Sequence, residues 1–177
     1  MSPLPDEVRA YLLSRANARM LARLREQNPG LEERMDSPRT RQMLFSWLGG
    51  REGRSEELAL LAAAALQFLY SVRDEEEAAV VTALLEHASA PVRLRSFEAL
   101  LIPLFAAREI ERMKPLLRAM LADADDLVRS AGARYVQRTS TADELRPFLE
   151  EWRAAAPARG WQSTESFQLV ARLLGEG

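Results

Sequence analysis

Lys114-Pro-Leu-Leu-Arg-Ala-Met-Leu-Ala-Asp-Ala-Asp-Asp-Leu-Val-Arg-Ser-Ala-Gly-Ala-Arg-Tyr-Val136 decides the fold of this chain. Apolar residues recur every three to four positions on both sides of a short acidic run, so the stretch predicts two amphipathic helices joined by a tight turn. A variant lies upstream, Val80-Val-Thr-Ala-Leu-Leu-Glu-His-Ala-Ser-Ala-Pro-Val-Arg-Leu-Arg-Ser-Phe-Glu-Ala-Leu100, in which Val92-Arg93 precedes Val128-Arg129 by 36 residues. Recurrence of a helix pair at that period predicts an α-solenoid, where each unit buries its apolar face against its neighbours.

Outward from this core the rest of the chain also predicts helices. Residues 5–27 form an N-terminal amphipathic helix with Val8, Tyr11, Leu12, Met20, Leu21 and Leu24 on one stripe, stopped by Asn28-Pro29-Gly30. Residues 37–72 form a divergent helix pair, opened by the cap Ser37-Pro38 and by Ser55-Glu56-Glu57. Its second helix, Glu56 to about Val72, is apolar on nearly every face and belongs mid-stack. Residues 75–105 and 109–138 are the two clear repeats, the first fading near Pro103. Residues 141–174 make a degenerate C-terminal pair, begun by the capping box Thr141-Ala-Asp-Glu144. No segment alternates with period two. The expected fold is all-α, a short right-handed solenoid of about four antiparallel helix pairs behind an N-terminal helix, in one domain over 1–177.

Composition narrows the function classes. The chain has 24 basic residues, of which Lys114 is the single lysine, and 26 acidic ones, for a net charge of −2. That balance disfavours a dedicated nucleic-acid binder, whose footprint is strongly basic. Charge is uneven: residues 1–54 carry +3, residues 55–90 carry −6 and the remainder +1. The arginine and alanine richness points to a GC-rich bacterial genome. The absence of cysteine removes disulfides and fits a reducing compartment. The first residues have neither a basic nor an apolar leader region, and no apolar run nears the ~20 residues of a membrane span. A cytoplasmic protein is expected.

The paired motif resembles the HEAT repeat. Leu116-Leu117, Asp123, Asp125, Val128-Arg129, Ala131 and Ala133 match that pattern in one unit, and Leu84-Leu85, Pro91, Val92-Arg93 and Ala99 match it in the other. Pro147-Phe148-Leu149 echoes Pro115-Leu116-Leu117. The resemblance implies that Arg93 and Arg129, with the loop acids Asp125 and Asp126, belong to a ladder between repeats. It also implies that the second helices line a concave face where partners bind, which makes Arg95, Glu98, Arg134 and Arg138 candidate contact residues.

Other candidates come from the residues themselves. Arg15, Arg19 and Arg23 recur every four positions and predict a basic stripe on the N-terminal helix, either a docking edge for an acidic partner, a phosphate backbone or an anionic lipid surface, or a solvated face. Trp161, in a loose late loop, either covers the end of the core or anchors a partner. His87, the sole histidine, is read as a helix-end cap or an exposed side chain. One histidine and no cysteine leave no triad and no transition-metal set, and the acidic pairs fall at helix starts, where the dipole explains them. Gly49-Gly-Arg-Glu-Gly-Arg54 lacks the strand and lysine of a phosphate loop and is read as a connection. No catalytic, cofactor or metal residues are therefore assigned. The leading expectation is a non-catalytic protein-interaction module, a small adaptor or complex subunit of a bacterial cytosolic assembly. HEAT-like DNA glycosylases and HEAT-like pigment lyases supply the alternatives that the resemblance carries. Partner identity and oligomeric state are not encoded in any recognisable motif.

Overall fold

The computed structural model describes residues 4–176. Met1–Pro3 and Gly177, which the expected domain includes, lie outside the described residues. These are all-helical: eleven α-helices and two short 3-10 turns, with no strand. Among the described residues, no helix is long and apolar enough to cross a membrane. The chain divides into two compact units with the boundary between Leu100 and Leu101.

The first unit holds α1 (Asp6–Ser14), α2 (Ala18–Gln27), α3 (Leu31–Met35), α4 (Pro38–Gly49), α5 (Ala59–Leu69), α6 (Glu75–Ala83) and the start of α7 (Ala90–Ala106). The expected single helix over 5–27 is two. Ser14 turns its hydroxyl back to the Tyr11 carbonyl at 2.8 Å, and Asn17 Oδ1 accepts from the N–H groups of Arg19 and Met20. Such side chains offer the backbone an alternative to the helical ladder, and the apolar period runs on across the break. Only the α1 half of the expected apolar stripe is buried: Val8, Tyr11 and Leu12 are inaccessible, with Tyr11 edge-on to Phe68 of α5.

The expected helix from Glu56 begins instead as a 3-10 turn, Glu56–Leu58, and α5 ends at Leu69 because Tyr70 takes φ +65°. Its burial is one-sided rather than complete, since Leu60 is 75% exposed. Helix α6 stops at Ala83, short of His87. The glycine loop after α4 folds back onto that helix: Glu52 accepts from Trp47 Nε1 at 2.9 Å, and a Cβ on Gly53 would lie 2.6 Å from the Trp47 carbonyl oxygen. Arg41 joins α4 to α6 through Glu77, with Nε and Nη2 each at 2.6 Å from a carboxylate oxygen, and it also donates to the Leu69 and Ser71 carbonyls.

Helix α7 does not fade at Pro103 but runs to Ala106. Proline has no N–H to give the carbonyl four residues back. That carbonyl belongs to Ala99, and it accepts the Val72 N–H at 3.2 Å. The group that Pro103 leaves vacant thus ties the α5–α6 connection to α7.

The second unit, from Leu101, holds the end of α7, then α8 (Ile110–Leu121), α9 (Asp126–Thr139), α10 (Ala142–Ala155) and α11 (Glu165–Leu173). Met113, Leu117, Met120 and Leu121 of α8 and Val128, Ala133 and Val136 of α9 form a buried apolar core. Gly132 sets the α8–α9 approach, because a Cβ there would lie 2.8 Å from Met120 Cβ. The expected capping box at Thr141 does not form: the Thr141 hydroxyl pairs with Thr139 Oγ1 at 2.9 Å and caps nothing. Lys114 bridges Glu111 and Glu144, 2.6 Å from each.

Candidate functional site

Two turns, one in each unit, are closed by the same hydrogen bonds. Arg129 Nη1 donates to the carbonyls of Asp123 and Ala124, at 2.8 and 2.6 Å. Arg93 Nη1 donates to those of His87 and Ala88, both at 2.8 Å. In each case the acceptors lie six and five residues before the arginine, so the 36-residue spacing in sequence is also a repeat of bonding. Asp123 Oδ1 accepts the Asp125 N–H at 2.8 Å, and His87 Nδ1 accepts the Ser89 N–H at 2.9 Å. His87 is therefore buried in its turn and not exposed, and its Nε2 has no hydrogen-bond partner among the described residues.

Arg129 is 2% exposed and lies at the centre of a network in the second unit. Its guanidinium carbon sits 4.1 Å from the centroid of Trp161, which stacks on Trp152 at 5.6 Å. Its Nη2 meets Asp126 Oδ1 at 3.2 Å, and its Nε lies 3.3 Å from Ser166 Oγ. Asp126 in turn accepts from Ser166 Oγ at 2.5 Å and from the N–H groups of Glu165 and Ser166, so it helps cap α11. Burial pushes the Asp126 carboxyl up. The Ser166 hydroxyl, the Ser166 and Glu165 N–H groups and the Arg129 charge outweigh that and hold it below the ordinary carboxylate range. Asp125, expected beside Arg129, instead accepts the Leu127 N–H as the N-cap of α9. Sequence spacing located this arginine; it could not supply Ser166 or Trp161, which are remote in the chain.

Trp161 is half-buried, its ring between Arg129 and Trp152 with Arg159 also 5.0 Å from it. Of the other candidates, Arg15, Arg19, Arg23, Arg134 and Arg138 are exposed, and Arg95 and Glu98 are half-buried. Arg95 pairs with Glu98 one turn along α7, at 2.6 Å. Arg134 of α9 pairs with Glu165 at 2.5 Å, and Arg138 lies 5.9 Å from the Tyr135 ring centroid. The basic stripe is not continuous. Arg15 falls in the break between α1 and α2 and packs over Phe68 at 5.1 Å, while Arg19 and Arg23 stand on α2, exposed.

A groove between α4 and α6 had no sequence signal. Its volume is about 510 Å³, and both signs of charge line it: Arg41 and Arg73 beside Asp74, Glu76 and Glu77, with Pro38 and Val80 as apolar lining. It is open and mixed in polarity, with Glu77 already paired to Arg41. Among the described residues no three His, Asp or Glu side chains gather as a metal-holding group. Comparison of the chain with family models, curated proteins and solved structures gives no match.

Proposed function

We propose that this chain is a non-catalytic protein–protein interaction module, a small HEAT-like adaptor or subunit of a bacterial cytosolic assembly. The observation that carries the reading is the paired turn closure by Arg93 and Arg129, 36 residues apart. A chain built on repeating turns commits its recurrent bonding to the frame and leaves the exposed helix faces free to suit a partner. The step from frame to role is an analogy of fold.

The contact residues we assign are Arg95, Glu98, Arg134 and Arg138. Arg134–Glu165 is an exposed pair, worth ~0–1 kcal/mol, so a partner's carboxylate replaces the internal acid at little cost, whereas Arg95–Glu98 is half-buried. The test is affinity capture with the tagged full chain beside its Arg134→Glu/Arg138→Glu variant, under native salt. A stoichiometric partner retained by the first and lost by the second is expected. Retention by both, or capture of nothing, overturns the assignment.

A further inference from the structure

Resting on the adaptor reading above, we infer that the groove between α9 and α11 seats an acidic amphipathic helix of a partner protein. One apolar residue of that helix fills the groove, and its carboxylates meet Arg134, Arg138 and Arg172. The two walls lie side by side and run in the same direction. Asp126, at the start of α9, bonds the N–H groups of Glu165 and Ser166 at the start of α11. Further along, Ala133 and Gln137 face Leu169, Arg172 and Leu173 across a space of about 80 Å³. That is far below the ~300–1,000 Å³ of a small-molecule site and matches one aliphatic side chain.

The floor is apolar and the rim is basic. Leu169 and Leu173 stand one turn apart on α11 and remain half-buried after packing on α9, where the methyl group of Ala133 is too short to cover them. Together α9 and α11 carry four arginines against two acids, Asp126 and Glu165. Both acids are committed, Asp126 to Ser166 and Arg129, and Glu165 to Arg134. Arg129 is buried against Trp161. Arg138 and Arg172, both exposed, make no ion pair among the described residues. Two cations therefore face solvent beside an apolar slot without a counter-charge.

The pairing of slot and cations selects the occupant. A phosphate backbone satisfies the arginines but leaves the slot empty, and the net charge of −2 repels polyanions at long range. A wholly apolar segment fills the slot but leaves Arg138 and Arg172 unmatched. A helix answers both demands when Asp or Glu lies three or four positions either side of one apolar residue, because those positions share a face. Laying such a face along a groove is a recurrent mode of recognition. Carboxylates on the rim add on-rate and specificity, while the apolar anchor supplies the buried contact.

The experiment is selection of a phage-displayed library of random peptides, each of about 15 residues to allow a helix, on the immobilised full chain. Recovered peptides are synthesised and their affinities measured by fluorescence anisotropy. They are expected to carry Asp or Glu at helical spacing around a Leu, Ile, Met or Phe, and to bind more weakly at high salt. Arg138→Glu/Arg172→Glu is expected to weaken them roughly tenfold or more. Because glutamate opposes the dipole in the last turn of each helix, Arg138→Gln/Arg172→Gln serves as the milder variant, with circular dichroism confirming the fold. Leu173→Ala is expected to weaken the same peptides by removing the floor. No recovered peptide, peptides without carboxylates, or binding indifferent to both the arginine and the leucine variants overturns the inference. So does a labelled DNA duplex that binds through the same arginines more tightly than the peptides at equal salt. A cellular partner captured through Arg134 and Arg138 but unmoved by Arg172→Gln and Leu173→Ala overturns the helix assignment and leaves the adaptor reading standing. Acidic peptides mapped to the groove, with no cellular partner captured, support the helix assignment and count against that reading alone.

Discussion

His87 and Asp123 occupy equivalent positions 36 residues apart and close their turns with the same bond, each accepting the backbone N–H two residues on, at 2.9 and 2.8 Å. An imidazole nitrogen thus stands in for a carboxylate oxygen. The loop aspartates that the HEAT-like pattern leads one to expect are missing from the upstream repeat, yet their bonding function is retained. The substitution has a cost, since His87 Nε2 is buried without a partner.

Replacement of His87 therefore separates the bond from the ring. His87→Ala removes the acceptor and is expected to lower stability by about 1 kcal/mol or somewhat more, counting the small void. His87→Asn restores a short acceptor and deletes the orphaned nitrogen, and is expected to recover most of that loss. Thermal melts of the three proteins decide it. Equal melting temperatures for His87→Ala and wild type would show that the turn does not depend on this bond.

Arg129 is a stronger case, because its guanidinium serves four partners from a nearly inaccessible position. Its planar fork reaches two carbonyls, Asp126 and Ser166 while its face lies on Trp161. Arg129→Ala is expected to cost about 2–4 kcal/mol, as it strands buried acceptors and unstacks the indole. Arg129→Lys is expected to recover little, since a point charge cannot span that fork. Urea unfolding followed by tryptophan fluorescence measures both, and a lysine variant as stable as wild type would refute the fork argument.

These two residues also show how far the sequence could be read. The 36-residue spacing located both turns, and Val128, Arg129 and Gly132 stand in the frame as their pattern required. What the spacing could not supply was the identity of distant partners: Ser166 and Trp161 meet Arg129 from another element, with no local signal linking them. Local competition defeated other expectations. Ser14 and Asn17 end one helix and start another without interrupting the apolar period, and Thr139 captures the hydroxyl that Thr141 would have used for capping. The α4–α6 groove depends on the distance between helices, which no motif encodes.

Asp126 gives the fold a definite acid response. Its carboxyl is held below the ordinary value of ~3.9 by Ser166, Glu165 and Arg129 against the opposing effect of burial. A carboxyl with a depressed folded value stabilises fully above the unfolded value and loses that contribution as pH falls through the folded one. Wild type is therefore expected to weaken progressively below about pH 4. Asp126→Asn, less stable at neutral pH, is expected to show a shallower acid slope. Denaturant midpoints from strongly acidic to neutral pH make the comparison, and parallel curves for the two proteins would exclude Asp126 as a contributor.

Gly132 tests the packing of α8 on α9 against intrinsic helix preference, and the two effects oppose each other. In an exposed helix interior, Gly→Ala stabilises by ~1 kcal/mol. At this position the added carbon would lie 2.8 Å from Met120 Cβ and 3.4 Å from the Leu121 nitrogen. Neither is the far end of a flexible side chain, so relief requires the helices to part. Overpacking of this kind costs ~1–3 kcal/mol and exceeds the propensity gain. Gly132→Ala is expected to be net destabilising by about 1–2 kcal/mol. Met120→Ala, which truncates beyond the crowded Cβ, should not relieve it, whereas Met120→Gly in the same background removes the colliding atom. In a double-mutant cycle the Gly132→Ala penalty should therefore shrink with glycine at 120 and persist with alanine. A stabilised Gly132→Ala protein would mean that the helices yield at this crossing.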